Sequence, residues 1–115
     1  MENTTMSHVF YAHHDATAFE PFDLGNVQWL RRPGDNGNEA LSAGIWQVSP
    51  EEASDPFDLP IEQDETIYIV SGHIRIEVTD GPTHDLTAGS MASLSRGAMT
   101  RWTILEPTVE FFVYT

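Results

Sequence analysis

The sequence predicts an all-β domain, a sandwich or closed barrel of short strands. Three observations carry that reading. From Glu65 onward, runs rich in branched and aromatic residues alternate apolar with polar at a period of two. Turn formers interrupt these runs every 8–12 residues or so, the spacing typical of all-β domains. No window of useful length shows the 3.6-residue period of an amphipathic helix.

The elements follow in order. Residues 1–26 mix Phe10, Tyr11, His13, His14, Phe19 and Phe22 without a steady period. They read as an arm laid over the domain with one edge strand, and 27–115 as the barrel itself. Arg31 to Asn38 (RRPGDNGN) is dense in turn formers and reads as a loop. Leu41 to Val48, with Ile45, Trp46 and Val48, reads as a strand. Ser49 to Pro60 holds three prolines and four acids and reads as an exposed, irregular connection. Thr66 to Val70 forms a strand closed by Ser71-Gly72. Ile74, Ile76 and Val78 then alternate with His73, Arg75, Glu77 and Thr79 as a second, half-buried strand. Turns are expected at Asp80-Gly81-Pro82, Ala88-Gly89 and Arg96-Gly97. Further strands are expected at Met91 to Leu94, Ala98 to Leu105 and Val109 to Tyr114.

Composition bounds the function. A chain of 115 residues fits one domain. It has no cysteine, so disulfides, thiolate metal sites and cysteine nucleophiles are excluded. Its apolar runs are far shorter than the roughly 20 residues of a bilayer span, and Met1 to Thr5 has no apolar signal segment, so a soluble cytoplasmic protein with no membrane partner is expected. Eighteen acids face five arginines, a net charge of −13. Between Arg32 and Arg75 there are nine acids and no Lys or Arg. Such a field repels nucleic acid and anionic lipid, so neither is expected as a partner. It suits a solvated acidic surface or an acid-lined path for a cationic ligand.

Two spacings stand together. Glu65 is followed by six residues and Gly72; Gly89 is followed by five residues and Ser95, one more and Gly97, two more and Thr100. The order resembles the two motifs of the cupin superfamily, with further likeness to (S)-ureidoglycine aminohydrolase-like single-domain cupins in Gly44-Ile45-Trp46, Asp64-Glu65, Tyr68-Ile69 and Arg101-Trp102. The resemblance covers roughly residues 40–114. It implies a single-domain jelly-roll β-barrel of the RmlC-like kind, pairing sheet to sheet as a homodimer.

In that superfamily a divalent metal is held by an HxH pair, the glutamate and a second-motif histidine. Here the HxH positions fall on Leu59 and Ile61, or on Asp58 and Pro60 in the register one residue longer, and the last ligand position is Thr100. Only Glu65 remains of the four. One carboxylate does not hold a first-row transition metal tightly, so no metal or other cofactor is expected. His73, His84, His13 and His14 are expected outside the barrel. A rebuilt site would need an arm histidine folded over the mouth.

By alternation Glu65, Ile67 and Ile69 share one face, and Thr100, Trp102 and Ile104 another. The motif match turns both inward. The expected ligand pocket is therefore Glu65, Thr100, Trp102, Trp46 and Ile67, apolar with a single carboxylate. Glu65 reads either as a group held neutral by Thr100, the Trp102 indole or a water, or as a ligand anchor or general base. The tryptophans read as core packing or as ligand stacking. A small-molecule-binding barrel is the expected function. The alternative is an enzyme acting on a small amine, amide or ureide, with Glu65 as its base or as the ligand of an atypical metal.

Overall fold

A computed structural model describes residues 8–115; residues 1–7 of the arm lie outside the described residues. Eight strands form it: β1 (Glu20–Pro21), β2 (Asn26–Arg31), β3 (Ser42–Val48), β4 (Phe57–Pro60), β5 (Glu65–Val78), β6 (Thr83–Thr87), β7 (Met91–Leu94) and β8 (Met99–Tyr114). All pairings are antiparallel, in the order β1-β2-β3-β8-β5-β6, with β4 on β8 and β7 on β5. This is the jelly-roll arrangement that the sequence predicts. Two short 3₁₀ turns, Ala16–Ala18 and Asp35–Gly37, are the helical segments, and no helix is long and apolar enough to cross a membrane among the described residues.

β5 and β8 organise the rest. They pair along nearly their whole lengths, from Glu65 opposite Tyr114 to Val78 opposite Thr100. The two halves of each strand have different outer neighbours. The first half of β5 carries β7 and the second carries β6. The first half of β8 carries β4 and the second carries β3. The long strands thus pass from one sheet to the other, and the core of Ile67, Ile69, Ile74, Ile76, Trp102, Ile104 and Phe112 lies between.

The passage is a corner at Gly72. Between the pairs Ile69–Glu110 and Ile74–Ile104 the register slips, so that five steps along β5 oppose six along β8. Gly72 takes φ +104°, and a Cβ there would strike the carbonyl of Pro107 and the side chain of Thr108. Thr108, 1% exposed, accepts a hydrogen bond from the His73 N–H (3.2 Å) and donates to the Glu106 carbonyl (2.9 Å). Its hydroxyl supplies the pairing that the slipped ladder omits.

Several expectations are corrected. The two strands expected on either side of Ser71-Gly72 are one bent strand, β5, because the glycine makes a bulge rather than a turn. The pair expected at Ala98–Leu105 and Val109–Tyr114 is likewise one strand, β8, running through Pro107. The connection Ser49–Pro60 ends in regular structure: Phe57–Pro60 pairs with β8, and Pro60 is tolerated because β4 pairs on one side only. Thr83–Thr87, not read as a strand, closes a hairpin on β5 after Asp80, whose φ is +59°. Met91–Leu94 is a strand as expected.

The segment before β2 is fastened by polar contacts. Gln28, 8% exposed, accepts from the Asp15 N–H (2.9 Å) and donates to the His13 carbonyl (2.8 Å), and Arg31 lies over the Phe10 ring at 4.7 Å. β1 and β2 form a hairpin whose turn, Phe22 to Gly25, reaches Trp46: the indole N–H donates to the Leu24 carbonyl at 2.7 Å.

Gly72→Ala is expected to lower stability by about 2–4 kcal/mol, since it adds both a forbidden φ and a clash with Pro107 and Thr108. Urea unfolding measures it; a loss under about 1 kcal/mol would mean the corner relaxes freely.

Candidate functional site

A cavity of about 340 Å³ lies between the sheets beside the β1–β2 turn. β8 contributes more of its lining than any other strand. Trp102 enters from the half of β8 before the corner, and Glu110, Phe112 and Tyr114 enter from the half after it. β4 supplies Phe57 and Leu59, β3 supplies Trp46, and β5 supplies Glu65. Phe22, Asp23 and Leu24 of the turn close the mouth.

The walls are aromatic. The Phe57 and Trp102 rings stack at 6.3 Å and 29°, while Trp46 meets Trp102 edge to face at 6.3 Å and 72°. Phe112 meets Tyr114 at 5.5 Å. These geometries fit the ring quadrupoles.

Against this wall stand two acids. Glu65 is 4% exposed and Glu110 2%. Burial raises the Glu65 carboxyl to about 7, opposed by a hydrogen bond with Tyr114, its partner across the ladder. Glu110 is pushed well above the ordinary carboxylate range, first by burial and then by the charge of Glu65. The Tyr114 phenol is raised too, by burial, by both carboxylates and by its bond to Glu65. The two acids titrate as a coupled pair in surroundings that favour the uncharged form of each. Oε1 of Glu110 is buried without a hydrogen-bond partner among the described residues. No Lys, Arg or His lines the cavity among them.

The residues expected at the site are placed as follows. Glu65, Trp102 and Trp46 line the cavity together. Thr100 lies behind it: its hydroxyl donates to the Leu59 carbonyl (2.6 Å) and accepts from the Trp102 indole (2.9 Å). Ile67, 1% exposed, belongs to the core rather than to the cavity wall. The expectation of a single carboxylate is overturned by Glu110, and Glu65 bonds Tyr114 rather than Thr100 or Trp102. Glu110 and Tyr114 went unread because Val-Glu-Phe-Phe-Val-Tyr looks like a strand with its β-branched residues inward. Stepping by two from the inward Trp102 would have found both.

The metal implied by the cupin motifs does not fit these donors. Leu59 and Ile61 face inward where the shorter register puts the HxH pair, and Asp58 of the longer register is exposed and pairs with Arg101 at 3.5 Å. What remains is two carboxyls and a phenol, oxygen donors without imidazole. His73 is engaged with Asp85 at 2.9 Å, His84 is exposed, and His14 packs on Phe19 at 5.6 Å.

A small barrel of two sheets with a site at the inward glutamate defines a cupin domain. Residues 36–111 match the EutQ-like cupin domain, and the chain belongs to that family. Solved structures agree. The chain is similar to a putative ethanolamine utilization protein Q from Salmonella typhimurium (18% identity, TM-score 0.67, covering 87% of this chain and 81% of that one). It is similar to ectoine synthase from P. lautus (17%, TM-score 0.69, 99% and 77%). It also resembles a DUF861 family protein from Thermotoga maritima (25%, TM-score 0.55, 62% and 76%). The first two likenesses carry the fold alone. No curated protein matches the sequence. The narrower likeness to ureidoglycine aminohydrolase-like cupins is not shown by these matches.

A testable consequence concerns pH. The folded Glu65 carboxyl keeps its proton to about 7, whereas an unperturbed one releases it near 4.5. The folded state therefore binds more protons across that window, and stability falls as pH rises through it, by about 3 kcal/mol for Glu65 alone. Glu110, raised in the same direction, adds to the fall. Glu110→Gln is expected to raise the thermal midpoint by about 5 °C or more near pH 8 and to change it little near pH 5. Parallel wild-type and variant profiles would show that the carboxyls are not desolvated.

Proposed function

We propose that this cupin is a small-molecule-binding barrel whose ligand occupies the cavity beside Glu65 and Glu110. One observation carries the reading: a preformed space of about 340 Å³, walled by aromatic rings, is lined by Glu110, one of whose buried carboxyl oxygens has no donor among the described residues. A cavity near 300 Å³ with apolar walls and few polar groups is the usual form of a metabolite site. A buried acceptor left unpaired costs roughly 1–3 kcal/mol, a cost that a ligand donor removes. The volume corresponds to roughly ten waters, so the ligand is small.

The enzymatic alternative gains support from the same pair. Two buried carboxyls that hinder each other's ionisation can serve as an acid and a base. On that reading Glu65 accepts a proton from the substrate and Glu110 donates one. It requires turnover that fails in both Glu65→Gln and Glu110→Gln and follows a bell-shaped pH profile.

Binding is tested by filling the cavity. Leu59 lines it from the edge strand β4, where a larger side chain displaces little backbone. In a screen of small neutral, cationic and anionic fragments by thermal shift and ligand-observed NMR, hits to the wild type are expected to be lost in Leu59→Trp. The variant should unfold cooperatively, as the wild type does. Hits that survive in the filled variant, or a folded protein that takes no fragment, would remove the binding reading.

A further inference from the structure

The cavity's polarity is one-sided. Its walls carry two buried carboxyls, a phenol bonded to one of them and Asp23 at the mouth, with no basic side chain among the described residues to balance them. Arg101, next in sequence to Trp102, points outward and pairs with Asp58. Among the described residues, no positive charge reaches this site.

We propose, building on the binding reading above, that the cavity takes the ammonium group of a small organic amine, with Glu65 and Glu110 as its counter-charges and the aromatic wall around its apolar body. Oε1 of Glu110 is a buried acceptor without a donor, and an ammonium N–H supplies one. Trp46, Trp102, Phe57 and Phe112 offer ring faces and edges to the rest of the molecule, and the ring faces attract a cation. The net charge of −13 draws cations toward the mouth. An anion would meet both carboxyls, and a neutral ligand would bring no charge to stabilise their ionised forms. A hard metal ion wants six or more oxygens, which two carboxyls and a phenol within an aromatic wall do not provide.

The test uses shape-matched probes: 2-phenylethylamine, 2-phenylethanol and phenylacetate, with the 3-methylbutyl amine, alcohol and acid as a smaller set. Calorimetric titration is run at mildly alkaline pH on wild type, Glu110→Gln and Leu59→Trp, alongside manganese and magnesium alone. The amine of at least one set is expected to bind about tenfold or more tighter than its alcohol, with the acid weaker still. Glu110→Gln should remove most of that advantage while leaving the alcohol's affinity within about twofold. Leu59→Trp should abolish all three.

An alcohol or acid that binds as tightly as its amine overturns the assignment of charge. The binding barrel then stands, provided Leu59→Trp still blocks the probe. A manganese or magnesium response that depends on Glu110, without an amine response, overturns the assignment in favour of a metal. Absence of binding by both amines in the low-millimolar range also overturns it, and the fragment screen then decides separately whether the cavity binds anything.

Discussion

The pairing of β5 with β8 through the Gly72 corner is the constraint from which the site's geometry follows. Before the corner, Glu65, Ile67 and Ile69 face inward; after it, Ile74 and Ile76 do. An unbroken pleat would send the second pair outward, because side chains alternate strictly. The slip of five residues against six restores the inward face on β5 while β8 keeps its parity from Thr100 to Phe112. Trp102 and Glu110, eight positions apart on β8, consequently reach one cavity from two sheets. Gly72 is what lets the backbones approach there, and the Thr108 hydroxyl is what keeps their polar groups satisfied.

How much of this was legible depended on whether a signal was local. Turns at Asp80-Gly81, Ala88-Gly89 and Arg96-Gly97 and the short strand at Met91–Leu94 are written in adjacent residues. The inward placement of Glu65 and Trp102 followed from alternation combined with motif spacing. The continuity of β5 and β8 was hidden because glycine and proline punctuate short-range structure, and a glycine in a bulge looks like a glycine in a turn. Strand β4 was hidden for a related reason. Its proline is harmless only because one edge goes unpaired, and pairing is a long-range fact.

Glu110 was hidden by composition. In Val109 to Tyr114 the odd positions carry Val, Phe and Val, the even ones Glu, Phe and Tyr, and hydrophobicity favours burying the odd set. The strand does the opposite: Glu110 and Phe112 are buried while Val109, Phe111 and Val113 are half-buried. Parity is inherited from the well-packed half around Trp102 and Ile104, and the acid is carried inside with it. Such a conflict between local preference and global register costs stability, and it falls where the cavity lies.

That cost bears on what the two acids are for. A carboxyl kept in an apolar interior gains nothing in stability over an isosteric amide or a leucine, and near another acid it loses more. Packing alone would therefore be served better by almost any neutral side chain at 65 and 110. Tyr114 relieves Glu65 and leaves Glu110 with an oxygen facing no donor among the described residues. The hydrocarbon of Leu59 and Ile61 stands where cupin motifs place imidazoles, so nothing nearby offers either acid a bound metal as its partner. A pair of unbalanced carboxyls inside an aromatic wall is unfavourable as an empty cavity and favourable once a donor bearing positive charge enters. On the proposed reading, the occupant's charge completes a set of interactions that the described residues leave open.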